Sequence, residues 1–236
     1  MEDLWKLYSK HNPCLTTGAA FVPGKPLTKC EPCIFGKQAR LPAPTSSTPC
    51  TTNLLELIHL DICGPFPVTT PHGKAYFMLF LDDASSVVNL QNLALRSDVR
   101  DAWWILKAKW ELKMGKKVKR VRFDGARELG GCIEFLEELA LGGIKMEVVV
   151  AYEHWKNRRI ERYMCMIQGK IYMMLVTAQL PMTYWGEAAL TAAYLQNLTS
   201  TLPNGITLFK VFYSCKPDVS HLWVWGSHCF AMVPQE

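Results

Sequence analysis

Apolar runs at residues 55–62, 75–81 and 87–95 follow one another so closely that little more than turns can join them. Such a series reads as three neighbouring antiparallel strands, the first stopped by Gly64-Pro65. The period then changes. Val99, Ala102, Trp103, Leu106 and Trp110 recur at helical spacing with lysines largely between them, which predicts an amphipathic helix whose two tryptophans pack in the core. Residues 118–123 form a further strand ending at Asp124, residues 133–141 a helix stopped by Gly142-Gly143, and residues 144–150 a last strand. A long helix follows, with Ile160, Met164, Ile167, Ile171, Met174 and Ala178 on one face and Arg158, Glu161, Arg162, Cys165 and Gln168 turned elsewhere. The expected order is three strands, helix, strand, helix, strand, helices: an α/β fold.

At 236 residues and 49% hydrophobic, the chain can bury one main core with appendages. No apolar run approaches the roughly 18–20 residues that cross a bilayer, and the opening residues lack a signal-peptide layout, so an intracellular protein without a membrane partner is expected. Nine cysteines, an odd number without a repeating framework, favour free thiols and a metal pair over disulfides. Residues 1–45 mix Pro, Gly and Lys with little periodicity, and the Pro- and Ser-rich residues 42–49 read as a linker.

Three carboxylates stand where such a fold holds side chains rigidly. Asp61 lies in the first strand, Asp124 ends the fourth, and Glu161 sits early in the long helix. Gathered together, they would make a site for two divalent ions, because hard cations such as Mg²⁺ take oxygen ligands and leave room for water and phosphate. Spacing carries little of this by itself: on a chain with 21 Asp plus Glu, scattered acids are ordinarily solvated, and Glu161 has Arg158 as an ion-pair partner at helical spacing. Charge placement adds weight. Residues 100–122 hold nine Lys or Arg against Asp101 and Glu111, and Lys156, Arg158, Arg159 and Arg162 surround Glu161. Basic groups flanking acidic ligands suit a site that attracts a phosphate backbone while holding cations. Lys116, Lys117, Lys119, Arg120, Lys156, Arg158, Arg159 and Arg162 are therefore the candidate nucleic-acid contacts.

Several stretches in one order carry a resemblance. They are Cys30-Glu31-Pro32-Cys33-Ile34-Phe35-Gly36-Lys37, Leu57-Ile58-His59-Leu60-Asp61-Ile62-Cys63-Gly64-Pro65, Leu81-Asp82-Asp83-Ala84-Ser85, Leu180-Pro181-Met182-Thr183-Tyr184-Trp185-Gly186-Glu187-Ala188 and Lys216-Pro217-Asp218-Val219-Ser220-His221-Leu222. Together they resemble the Ty1/copia family of retrotransposon polyproteins, from the pre-integrase zinc segment through the integrase core. The resemblance implies a ribonuclease-H-like mixed five-stranded sheet flanked by helices, behind a small irregular N-terminal segment. It implies residues 1–45 as a degenerate zinc-binding-like segment, 46–200 as the catalytic core and 201–236 as a truncated extension.

The family's metal-dependent Asp, Asp, Glu triad falls on Asp61, Asp124 and Glu161, with two Mg²⁺ or Mn²⁺ ions. Its partners would be DNA, both element ends and target, with RNA as a further candidate and a second copy of the chain as an oligomeric partner. Function would be exercised in the nucleus, or the protein would stay cytoplasmic if inactive. Zn²⁺ would fall to His11, Cys30 and Cys33, with Cys14 as the candidate fourth ligand, since the family's first histidine position holds Lys6. The chain also departs from the family pattern, reading Gly125-Ala126-Arg127-Glu128 after the second aspartate and Glu153-His154-Trp155-Lys156-Asn157-Arg158 before the glutamate. The ligands are kept while the residues around them differ, so a polynucleotidyl transferase and a silent nucleic-acid-binding relic both remain open. A scaffold that only contacts other element proteins is the third possibility.

Overall fold

A computed structural model describes residues 50–124, 133–149, 157–229 and 232. The zinc candidates His11, Cys14, Cys30 and Cys33, together with Lys156, lie outside the described residues, as do residues 1–49 generally and the departures at 125–128 and 153–156. Five strands form one sheet: β1 (Leu57–Cys63), β2 (Tyr76–Asp82), β3 (Val88–Leu93), β4 (Arg120–Asp124) and β5 (Lys145–Val149). Their spatial order is β3-β2-β1-β4-β5, with β1 in the middle. β1 pairs antiparallel with β2, and β2 with β3, while β1, β4 and β5 run parallel. Helices α1 (Val99–Met114), α2 (Ile133–Leu141), α3 (Arg158–Ala178), α4 (Trp185–Thr199) and α5 (Leu208–Tyr213) complete the fold. The expected order of elements is the observed one, each strand within two residues of its expected bounds.

Strand alternation sorts the side chains into two cores. Ile58, Leu60, Met78, Phe80, Val121 and Phe123 face α1 and α2, where Trp103 stacks on Phe80 and meets Phe135 edge-on. Phe77, Leu79 and Leu81 face the other way, toward Ile160, Met164, Ile167 and Ile171 of α3 and the alanines of α4. β2 is therefore apolar at every position from Phe77 to Leu81, as a strand covered on both faces must be. Trp103 and Trp110 are core residues, as their spacing predicts. The buried stripe of α3 ends at Leu175, whereas the sequence pattern pointed to Met174 and Ala178, both only partly covered. Packing also continues past residue 200. Leu208 and Phe212 of α5 enter the same core as β1, with the Phe212 ring 5.4 Å from Trp110.

Two glycines serve close approach. Gly64, at φ +128°, ends β1 where an added Cβ would lie 2.7 Å from the Ala75 carbonyl. Gly186, at the start of α4, would bring a Cβ within 2.7 Å of Thr70 Cγ2 and 2.9 Å of Asn92 Nδ2, and its carbonyl accepts from that same amide. Gly186→Ala should therefore push α4 off β3 and cost about 1–3 kcal/mol, as overpacking does. Urea unfolding of the two proteins, at equal m-value, measures it.

Candidate active site

The parallel pairing of β1 with β4 sets Leu57, Ile58, His59 and Leu60 opposite Arg120, Val121, Arg122 and Phe123. One further step along that register brings Asp61 level with Asp124. Both alternate away from the core that Leu60 and Phe123 enter, so both emerge on the face that α3 covers. Each is half-buried. Asp61 Oδ1 accepts from the Ile62 amide at 2.9 Å, which orients its carboxylate.

α3 contributes the third carboxylate by a rotation that three contacts define. Lys170 Nζ donates to Gln196 of α4, and Arg159 reaches Asp83 and Ser86 in the β2–β3 turn, so that flank faces α4 and β2. Gln168 Nε2, on the opposite flank, donates to Cys63 Sγ of β1. At about 100° per residue, Glu161 shares the Gln168 flank and is turned toward β1 and β4. Seven residues of helix cover about 10 Å, and three of strand nearly the same, so Glu161 lies near the level of Leu60 and Asp61. Its side chain is exposed. Thus Asp61, Asp124 and Glu161 share one side of the sheet, bordering an open rim. They are not drawn into contact: among the described residues, no three His, Cys, Asp or Glu side chains stand close enough to hold an ion. Three oxygen-bearing groups on neighbouring elements, partly solvated, are a donor set that fits a hard divalent cation.

The basic residues separate into different roles. Lys116, Lys117 and Lys119 are exposed but precede β4, whereas Asp124 ends it. Five steps of strand, roughly 16 Å, separate Lys119 from Asp124, so this cluster sits at the opposite end of the strands from the carboxylates. Closeness in sequence along a strand is distance in space. Lys117 is also paired with Glu111, which Lys107 and the Val118 amide hold as well, closing the connection from α1 to β4. Arg120 bridges Glu56 and Glu147, and Arg122 pairs with Glu147. Arg158 and Arg162 stay with Glu161 at the start of α3, Arg162 exposed and Arg158 half-buried.

One group is not assembled by the sequence reading, in which Asp83 and His59 stand only within motif stretches and Arg159 is a candidate nucleic-acid contact. Asp83 Oδ1 accepts from His59 Nε2 at 2.9 Å and from Arg159, while Oδ2 accepts from the Thr51 amide at 2.6 Å. Burial alone would raise the Asp83 carboxyl, but hydrogen bonds from His59 and Thr51 and the Arg159 charge outweigh it and hold it below the usual carboxylate range. Burial pushes the His59 imidazole down, so the neutral ring donates from Nε2, and its buried Nδ1 has no hydrogen-bond partner among the described residues. Neighbouring Asp82 goes the other way. Burial raises it despite bonds from Ser85 and the Leu55 amide. No local signal in the sequence marks Asp83, because its donors come from residues 51, 59 and 159, far from it in the chain.

Comparison with solved structures identifies the class of fold. The HTLV-2 integrase catalytic core domain, solved in complex with magnesium in a trimeric form, superposes with a TM-score of 0.50 at 17% identity, over 66% of this chain and 95% of that one. A chain of the simian T-cell lymphotropic virus intasome in complex with the PP2A regulatory subunit B56 gamma gives 0.57 at 14% identity, over 88% of this chain and 66% of that one. The fold is that of a retroviral integrase catalytic core, the ribonuclease-H-like architecture expected from the motifs.

Sequence relatives make the assignment narrower. The retrovirus-related Pol polyprotein from transposon TNT 1-94 of Nicotiana tabacum is 34% identical over 218 residues, 92% of this chain and 16% of that protein. The Pol polyprotein from transposon RE2 of Arabidopsis thaliana is 23% identical over 88% of this chain and 14% of its own length. The homologues of this chain are Pol polyproteins of plant copia-like transposons, of whose length it spans about one sixth or less. No protein-family model matches the chain.

The ion pairs make a pH dependence testable. Burial would raise Glu111 and Glu147, but the Val118 amide with Lys117 and Lys107, and Arg122 with Arg120, outweigh it and lower both. Groups lowered on folding contribute stability above the unfolded value of about 4.3 and lose it as pH falls through their folded values. The urea midpoint should therefore drop as pH goes from about 5 toward 3, and Glu147→Gln should flatten that drop while lowering the midpoint at neutral pH.

Proposed function

We propose that this chain carries the catalytic core of an integrase-type polynucleotidyl transferase, acting on the DNA ends of its own element and on target DNA. The observation that supports the reading is the β1–β4 register, whose last pair, Leu60 with Phe123, is followed on both strands by an aspartate, Asp61 and Asp124, beside the helix that carries Glu161. The magnesium complex of the HTLV-2 core supports divalent metal use, and its trimeric form supports an oligomer.

Asp61, Asp124 and Glu161 would hold the ions, Mg²⁺ or Mn²⁺, which when bound activate the attacking oxygen and stabilise the leaving one. The chain's own contribution is placement. Asp61 and Asp124 are fixed by a hydrogen-bonded sheet, and Glu161 by packing of α3 against β1 and β2. Arg158 and Arg162, beside Glu161, would draw a phosphate backbone to the site without reading its sequence. In end processing, a water oxygen bonds to phosphorus as the bond to the leaving 3′ oxygen breaks, freeing a 3′-hydroxyl. In strand transfer that hydroxyl attacks a target phosphodiester and displaces the target's own 3′ oxygen. The nucleus is where such joining would occur.

A catalytically silent nucleic-acid binder is the second reading, favoured by the departures from the family pattern at Gly125-Ala126-Arg127-Glu128 and Glu153-His154-Trp155-Lys156-Asn157-Arg158. The two separate in one assay. With element-end DNA and Mg²⁺ or Mn²⁺, the wild type should process and join strands. Asp61→Asn, Asp124→Asn and Glu161→Gln should each lose about 100-fold or more, the upper end of what even indirect changes at a metal site cost. Equal background in all four, with salt-dependent DNA retention intact, would establish the silent binder instead.

A further inference from the structure

We infer that Asp83 is a positioning residue for the proposed metal site: its carboxylate ties the start of α3 to β1 and so sets where Glu161 lies relative to Asp61. The inference rests on the reading of Asp61, Asp124 and Glu161 as metal ligands.

Three observations lead to it. First, the two donors that meet on Asp83 Oδ1 each stand two residues before a proposed ligand: His59 before Asp61 on β1, Arg159 before Glu161 on α3. One buried oxygen therefore joins the two elements that carry those ligands. Second, the network is enclosed and directional. The side chains of Asp83 and His59 are 6% and 1% exposed, Arg159 places its second amine 2.7 Å from Ser86 Oγ, and Asp83 Oδ2 is engaged by the Thr51 amide.

Third, the buried face of α3 against the sheet is apolar, through Ile160, Met164, Ile167 and Ile171. Apolar burial is strong but non-directional, so it holds the helix down without specifying its rotation. Directional bonds do that. The Arg159–Asp83 tie on one flank and the Gln168–Cys63 tie on the other together allow a single rotation, the one that turns Glu161 toward Asp61.

Asp83→Asn is nearly isosteric and breaks the arrangement selectively. Both Asp83 oxygens serve only as acceptors, so an amide nitrogen in either place puts a donor against a donor, Thr51 N–H on one side or His59 and Arg159 on the other. Two measurements on the full chain test the inference. Hydrogen exchange should rise about tenfold or more across residues 158–165 in Asp83→Asn, with residues 171–178 and β2 unchanged, since local opening is independent of global unfolding. Mn²⁺ titration followed by electron paramagnetic resonance should show affinity lowered about 10- to 100-fold in Asp83→Asn. Arg159→Gln should match it, and the double variant should be no worse than either single one, because all remove the same tie. Glu161→Gln should lose Mn²⁺ affinity with unchanged exchange.

Unchanged exchange in Asp83→Asn, or wild-type Mn²⁺ affinity there while Glu161→Gln has lost it, would overturn the positioning role. If the wild type shows no Mn²⁺ site that Asp61→Asn removes, the metal reading itself fails and the positioning role with it; the exchange data still decide whether Asp83 anchors α3. Should Asp83→Asn not fold, Arg159→Gln, which leaves Asp83 bonded to His59 and Thr51, carries both measurements.

Discussion

Everything at the candidate site depends on the parallel hydrogen-bonded pairing of β1 with β4. The two strands are joined through two antiparallel strands and a helix, yet they lie side by side at the centre of the sheet. Because side chains alternate with a period of two, a slip of one residue in this pairing would send Asp124 into the apolar layer where Phe123 now sits. That cost pins the register. Val121 and Phe123 are fully buried beside Ile58 and Leu60, and their burial is what holds two carboxylates level on the other face.

The sheet therefore separates two kinds of work. One face, under α1 and α2, is apolar and closed by Trp103, Phe80 and Phe135. The other is apolar over β2 and β3, where α3 packs on β1 and β2 and α4 on β3, and becomes polar at β4 and β5. There, Arg120 and Arg122 are neutralised by Glu147, and Asp124 ends the strand. The candidate site occupies the border between those regions. Such a border exposes carboxylates to solvent and substrate while rigid neighbours hold their backbone. Arg100, Lys117, Arg120, Arg122 and Arg159 pair with Glu138, Glu111, Glu147 and Asp83, and Arg158 and Arg162 stand beside Glu161 at the start of α3.

The fold was legible to within two residues at each strand because its elements have strong local signatures. A largely apolar run marked β1 and a continuous one β2, an aromatic stripe at helical spacing marked α1, and Gly64-Pro65 and Gly142-Gly143 marked ends. The three carboxylates were legible too, through the motifs around them. The basic cluster at Lys116, Lys117 and Lys119 is near Asp124 in sequence but not in space, because an extended strand carries neighbours apart at over 3 Å per residue. Asp83 was seen only as part of a stretch, since nothing local distinguishes an acid that receives donors from residues 51, 59 and 159 from one that faces water.

By itself the sequence determined which segments become strands and helices, which of their faces are apolar, and the family to which its motifs point, because periodicity and turn chemistry act over a few residues. Only the tertiary structure decided that Asp61 and Asp124 are level neighbours, that α3 is rotated to turn Glu161 toward them, and which arginines are already committed to partners. Those facts arise from pairings between residues far apart in the chain, set by the burial of whole layers and by directional bonds across them, and no local pattern encodes them.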